Sequence, residues 1–162
     1  AEAVAEGRGK AQADALRRTR SETVGKVLAS QEAKAAGFDE ALLTDMNGHV
    51  AEGPGANIFY EKDGKLFTPA TGHILPGITR ATVLEICDTL GIAVEEKTIT
   101  LDELKQADAV FFCGTAAEVI GWKKLDQTEF PLPWDDSLSR MIQLAYKNRV
   151  IEKTTIFQTE TA

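Results

Sequence analysis

Long hydrophobic runs are missing from this 162-residue chain, and no window stays apolar long enough to cross a bilayer as a helix. No membrane-crossing helix is expected within these residues. Cysteine is scarce. Cys87 and Cys113 are the only two, they lack CxxC or Cys/His spacing, and they read as reduced, buried thiols rather than a disulfide framework or a zinc site. No metal site is expected. Histidine is equally sparse, and neither His49, beside a turn, nor His73, in a loop, has a serine or cysteine nearby in a setting that suggests a nucleophile and its base. Positive charge is short as well. Eighteen Lys and Arg face twenty-five Asp and Glu, a net charge of −7 that disfavours tracking a phosphate backbone, so nucleic acid is not an expected partner. The first twenty residues hold only Val4 and Leu16 as large apolar side chains, without the basic-then-apolar pattern of a secretory signal, and a cytoplasmic location is expected.

What is present suffices for one folded domain. At 43% hydrophobic and 27% charged residues the chain lies in the globular range, and its length supports a single core but no second large domain. Charge is uneven, with +2 over residues 1–29 and −9 over residues 30–162. The break sets off residues 1–27 as an atypical Ala- and Arg-rich segment, where any helix would rest on propensity more than packing. Val24, Val27, Leu28 and Ala33 recur at helical spacing before Gly37 and predict a helix over about 21–36. Two hairpins follow. Residues 40–45 and 49–52 flank Asn47-Gly48, and residues 57–60 and 65–68 meet at Asp63-Gly64, both pairs tolerating positive φ. A helix over 78–90 has Ile78, Val83, Ile86, Cys87 and Leu90 as its apolar stripe and Gly91 as its stop. A strand is expected over 92–98, and Thr100-Leu101-Asp102-Glu103 has capping-box spacing for a short helix ending near Ala107. Residues 109–113 form a fully apolar strand, residues 118–122 and a pair of short strands come next, and an amphipathic helix over 135–153 turns Leu138, Met141, Ile142, Leu144, Ala145 and Val150 inward.

Three stretches can hold chemistry. Pro76-Gly77-Ile78-Thr79-Arg80 offers backbone N–H groups and a threonine hydroxyl at a helix N-terminus, a natural anion site, although an ordinary helix start explains the same residues. Gly114-Thr115-Ala116-Ala117 follows a buried strand with side chains small enough for a phosphate or carboxylate to approach several N–H groups, and a tight turn between strands would look the same. Glu52 ends an alternating strand before Gly53-Pro54-Gly55. Its carboxylate could pair with a heterocycle nitrogen and keep it protonated, while a surface acid at a strand end is the plainer reading. Cys113, Trp122, Trp134 and Tyr60 are assigned to packing.

Four runs then combine: Ser30 to Leu42 (SQEAKAAGFDEAL), Val50 to Phe59 (VAEGPGANIF), Leu75 to Arg80 (LPGITR) and Phe112 to Val119 (FCGTAAEV). In this order and spacing they resemble the fold-type IV pyridoxal-phosphate enzymes, and within them the branched-chain amino acid aminotransferases, over roughly residues 28–153. The resemblance implies an α+β fold, the large C-terminal domain of the D-amino acid/branched-chain aminotransferase-like enzymes, over 28–162, with pyridoxal 5'-phosphate as cofactor. It implies that Glu52 binds the pyridine nitrogen and that Ile78 and Thr79 donate to the cofactor phosphate through backbone and hydroxyl. Thr115 resembles a second phosphate hydroxyl, and the N–H groups of Ala116 and Ala117 resemble those that meet the substrate carboxylate. Ala56 departs from a frequent acidic or polar residue, a change expected to affect fine tuning only.

A larger departure lies upstream. The family's Schiff-base lysine, counted back from Glu32, falls on or near Arg18, and a guanidinium stays protonated and cannot take that role. The aromatic residue that follows this lysine in relatives falls near Thr23, Lys26 is two helical turns too far along, and Lys10 would need an insertion. No catalytic lysine is identified. The smaller N-terminal domain, which supplies much of the substrate pocket in relatives, also has no counterpart in these residues. The resemblance implies transfer of the amino group of leucine, isoleucine or valine to 2-oxoglutarate, amino acids and 2-oxo acids as substrates, and a homodimer, with this chain alone expected to be inactive. Aminodeoxychorismate lyase and D-amino acid aminotransferase share the same motifs and remain alternatives. A noncatalytic cofactor-binding domain is the reading of a different class, suggested by Arg18.

Overall fold

The computed structural model describes residues 28–72 and 74–160. They divide into two compact units, one ending at Ala41 and one beginning at Leu42. In the first unit, helix α1 covers 28–35 and Gly37 closes it at φ +83°. Phe38 N donates to Ala33 O at 2.9 Å and Gly37 N to Lys34 O at 3.0 Å, the paired bonds that a glycine in the left-handed region allows. Of the helix expected over 21–36, residues 21–27 lie outside the described residues, as do Arg18, Thr23 and His73.

A five-stranded sheet organises the second unit. Its strands are β1 (Asn57–Lys62), β2 (Lys65–Pro69), β3 (Val94–Lys97), β4 (Ala109–Gly114) and β5 (Glu118–Trp122), in the order β3-β2-β1-β4-β5. All neighbours are antiparallel except β2 and β3. That parallel pair needs a crossover, which α2 (Ile78–Leu90) supplies. Asp63 and Gly64 take φ of 50° and 70° in the β1–β2 turn, as the hairpin reading requires. The earlier hairpin is weaker than expected, because residues 40–52 form no named strands and are joined by one isolated bridge, Thr44 with Val50, around Gly48 at φ +82°. Short strands β6 (Lys124–Leu125) and β7 (Thr128–Glu129) form the small pair.

The strand sequences alternate between two cores. Ile58, Tyr60, Val110 and Phe112 face one way, against Val50, Ile99, Leu104 and Ala107. Phe59, Phe111 and Cys113 face the other, against Leu66, Val83, Cys87, Val119 and Ile142. Coverage on both faces explains why β4 is buried at every residue and reads as one apolar run. Packing also accounts for the aromatic residues assigned to it. Tyr60 stacks on Phe67 at 4.8 Å, Trp122 meets the Phe112 ring edge-on at 4.4 Å, and Trp134 lies so close over Gly121 that a Cβ there would sit 2.2 Å from the ring. Both cysteines are free and buried, and burial pushes the thiols up to about 11 for Cys87 and about 12 for Cys113.

The helices depart from expectation in which faces they bury. α2 runs over the expected residues and stops at Gly91, φ 69°, but its buried stripe is Thr79, Arg80, Val83, Ile86 and Cys87. Ile78 and Leu90 are exposed. At 3.6 residues per turn Ile78 points about 140° away from Val83, and Leu90 sits in the final turn. The last helix, α4 (Leu138–Glu160), begins three residues later than expected, after a 3-10 turn at Trp134–Asp136. The Ser137 hydroxyl accepts from Arg140 N at 3.1 Å as its N-cap. Leu138, Ile142 and Tyr146 form its packed i, i+4 row, while Met141, Leu144 and Val150 are exposed. The β3 strand is shorter than 92–98, and α3 (Leu101–Lys105) stops before Ala107. Only half of the capping box forms: Thr100 Oγ1 accepts from Glu103 N at 3.2 Å, but the Glu103 carboxylate accepts instead from the Tyr60 hydroxyl at 2.5 Å and pairs with Lys97.

Glu61 ties β1 to α4. Its Oε2 accepts from Leu138 N at 2.9 Å in a buried setting, where desolvation raises its pKa against the lowering effect of that hydrogen bond. A folded-state value above the unfolded one means that the folded chain holds this proton more tightly, so stability falls as pH rises through the ordinary glutamate range up to the raised value. Glu61→Gln keeps an acceptor oxygen without the buried charge. Urea midpoints at pH 5 and pH 7 are expected to differ less in Glu61→Gln than in wild type, and equal pH dependence in the two proteins would contradict the assignment.

Candidate functional site at one end of the sheet

Topology gathers the three candidate stretches. β1 begins, and β4 ends, at the same end of the sheet, with Asn57 paired to Cys113. β2 is antiparallel to β1 and ends there too, so the 70–77 connection leaves from that end. The end of β4 packs directly on the loop after Glu52: a Cβ on Gly114 would stand 2.7 Å from Gly55 O and 3.3 Å from Ala56 Cα. Glycine is therefore required where the two chains cross.

Glu52 is no surface acid. It is 7% exposed, and its Oε2 accepts from Leu75 N at 3.0 Å and from Asn57 Nδ2 at 3.2 Å. Burial of a carboxylate is costly unless donors compensate it, and here donors from two neighbouring segments do so. From Leu75 the chain has only two residues, roughly 7 Å of reach, to Gly77, the N-cap of α2. That helix starts bare. Gly77 has no side chain to cap it, the first turn carries no acid, and the first intrahelical donor is Ala81 N, bonded to Gly77 O at 3.0 Å. The amides of Ile78, Thr79 and Arg80 consequently have no acceptor within the helix, and the macrodipole adds partial positive charge there.

Arg80, which the motif reading left without a role, anchors this first turn. It is 5% exposed, and its Nη2 donates to Pro69 O at 3.1 Å and to Glu96 Oε2 at 2.6 Å. Strand ends β2 and β3 thus hold the helix start in place. Thr79, also 5% exposed, lies on the buried side of the same turn. Thr115 and Ala116 are exposed and Ala117 half-buried in the tight turn between β4 and β5, completed by Glu118 at φ 53°. Cys113, just before this turn, is fully buried, and burial raises its thiol in spite of the Arg80 charge nearby, which makes it a poor nucleophile. His49 lies on the loop side, bonded through Nδ1 to Asp45 Oδ2 at 3.3 Å. Among the described residues no cluster of three His, Cys, Asp or Glu could hold a metal ion.

Asn57 is the site residue that sequence reasoning missed. Its signal was an amide opening an apolar strand, where asparagine is uncommon.

One end of the sheet thus carries a buried acid, a bare helix N-terminus and a small-residue turn. The branched-chain-amino-acid aminotransferase of Pseudomonas aeruginosa is 42% identical over 131 residues, which cover 81% of this chain and 43% of that protein. The pyridoxal-phosphate form of the branched-chain aminotransferase of Thermobaculum terrenum superposes with a TM-score of 0.76 at 36% identity, over 79% of this chain and 42% of that one. The enzyme of Thermoproteus uzoniensis, solved with norvaline, superposes with the same TM-score of 0.76 at 40% identity, over 81% and 43%. This chain thus spans about two fifths of the length of these relatives. The family model for amino-transferase class IV matches residues 18–125, taking in the Glu52 loop, the α2 start and the Thr115 turn, and the chain belongs to that family.

Proposed function

We propose that this chain is the cofactor-binding part of a branched-chain amino acid aminotransferase, which moves the amino group of leucine, isoleucine or valine to 2-oxoglutarate with pyridoxal 5'-phosphate. The observation that carries the reading is the buried Glu52 carboxylate, bonded to the chain that leads within two residues into the bare N-terminus of α2. The donor set suits the cofactor: an acid for the pyridine nitrogen, and neutral N–H and hydroxyl donors, with no acid in the first turn, for a dianionic phosphate. When bound, pyridoxal phosphate supplies an electrophilic carbonyl carbon for an amine and a ring that withdraws electrons from the substrate's α-carbon.

In this reading Glu52 holds a proton at the pyridine nitrogen. The amides of Ile78 and Thr79 and the Thr79 hydroxyl bind phosphate oxygens, and Thr115 adds a second hydroxyl. The amides of Ala116 and Ala117 receive the substrate carboxylate, with no side chain beyond Cβ to block it. A homodimer and a cytoplasmic location belong to the same proposal.

A second reading has one observation behind it. The family's lysine position falls on or near Arg18, which favours a domain that binds the cofactor without turning it over. Incubation with pyridoxal phosphate, borohydride reduction and peptide mass mapping separate the two. Reduction is expected to leave one cofactor mass on a single lysine if this chain carries its own catalytic group. Saturable binding without any reduced adduct would assign the chain to the binding-only class, and no binding at all would overturn both.

A further inference from the structure

The motif reading assigns Glu52 a task but does not say what aims it. A glutamate side chain has three rotatable bonds, and a carboxylate that must meet one ring nitrogen benefits from being fixed beforehand. Asn57 sits where it can do this. It is 5% exposed, and its Nδ2 donates to Glu52 Oε2 at 3.2 Å and to Leu75 O at 2.9 Å, one acceptor for each of its two hydrogens. Leu75 N returns to the same Glu52 oxygen at 3.0 Å. Two donors from different segments converging on Oε2 leave the carboxylate no rotation that keeps both.

The rest of the amide is equally constrained. Asn57 Oδ1 lies where a Cβ on Gly77 would come within 2.2 Å, so Gly77 makes room for it. The backbone of Asn57 is pinned in the sheet opposite Cys113. Other side chains fail here on simple grounds. Aspartate would set a like charge against Glu52 and an acceptor against Leu75 O, leucine brings no donor, and serine is too short to span both acceptors. We propose that Asn57 is a positioning residue that sets the direction of the Glu52 carboxylate through its Nδ2 bond, itself anchored by Leu75 O and the space at Gly77. The proposal rests on Glu52 as the partner of the cofactor nitrogen.

A mutant cycle on cofactor affinity tests it. Pyridoxal phosphate is titrated into wild type, Asn57→Leu, Glu52→Gln and the double variant, followed by absorbance, with a cooperative melt required of each. Asn57→Leu is expected to weaken binding about fivefold and Glu52→Gln about tenfold, with the double variant no weaker than Glu52→Gln by more than about twofold, because Asn57 acts through the carboxylate. Losses that multiply would overturn the proposal and make Asn57 a general structural residue. A loss in Asn57→Leu with none in Glu52→Gln would sink the nitrogen-partner reading instead.

A second measurement needs no cofactor and uses Asn57→Ser should leucine prevent folding. At one fixed pH, the carbon-13 resonance of the Glu52 carboxyl in the ligand-free chain is expected to move and broaden when the Nδ2 donor is removed, since a carboxylate held by one donor fewer samples more rotamers. A Glu52 carboxyl resonance unchanged in position and width in a variant that melts cooperatively overturns the proposal whatever the cofactor does.

Discussion

Phe111→Ala is expected to remove about 3–5 kcal/mol of folding stability, roughly a fifth or more of what a domain typically has. Phe111 has no exposed surface, and its ring stacks on that of Phe59, its partner across the β1–β4 ladder, with centroids 5.0 Å apart and planes within 2°. The truncation forfeits the transfer of a whole ring out of water. It also leaves a cavity between two central strands that cannot close, because both are held in register by their neighbours. Stacking adds roughly 0.5–1.5 kcal/mol of its own. Urea unfolding followed by the fluorescence of Trp122 and Trp134, which lie in the same unit, reads the loss directly. Phe38→Ala, at a half-exposed position outside that core, is the control and is expected to change stability by about 0.5 kcal/mol or less. A loss below about 1.5 kcal/mol for Phe111→Ala would mean that the sheet can collapse around the missing ring.

The central ladder was readable because its signals are local. Asp63-Gly64 specifies a turn by the φ values that its two residues tolerate, Gly91 stops α2 for the same reason, and β4 is apolar at successive positions because both faces of the sheet are covered. Helix faces were less legible. Met141 and Leu144 look inward by composition alone, yet the i, i+4 row that packs is Leu138, Ile142 and Tyr146, in which an amphipathic tyrosine does the work of a hydrophobe. Glu103 shows the same limit, since its capping partner was legible three residues away while the Tyr60 hydroxyl that captured it lies 43 residues away. Site residues followed this division. Glu52, Thr79 and Thr115 came from motif resemblance, while their residue chemistry alone fitted a surface acid, a helix start and a turn equally well. Asn57 is anchored on Leu75, 18 residues away, and Arg80 on Glu96, 16 residues away, separations at which no spacing rule operates.

Glu52→Ala is expected to have two effects that can be measured apart. The first is on folding. Removal of Oε2 takes the acceptor from Leu75 N and one acceptor from Asn57 Nδ2 at a site that is 7% exposed, and leaving such donors unmatched costs about 1–3 kcal/mol. The second follows from the proposed function and concerns the cofactor, whose ring nitrogen would lose its charged partner while the α2 amides and Thr79 would still meet the phosphate. Affinity for pyridoxal phosphate is expected to drop at least about tenfold, some 1.4 kcal/mol, rather than vanish. Glu52→Gln separates the two effects, because it keeps an acceptor oxygen for Leu75 N and loses only the charge. Its urea midpoint should stay close to wild type while its affinity falls with that of Glu52→Ala. Inorganic phosphate, which has no ring nitrogen, should bind all three proteins alike. If Glu52→Gln instead bound pyridoxal phosphate as wild type does while Glu52→Ala lost only stability, the carboxylate would be a structural acid that joins the β1 entry to the α2 entry, and the nitrogen would need another partner.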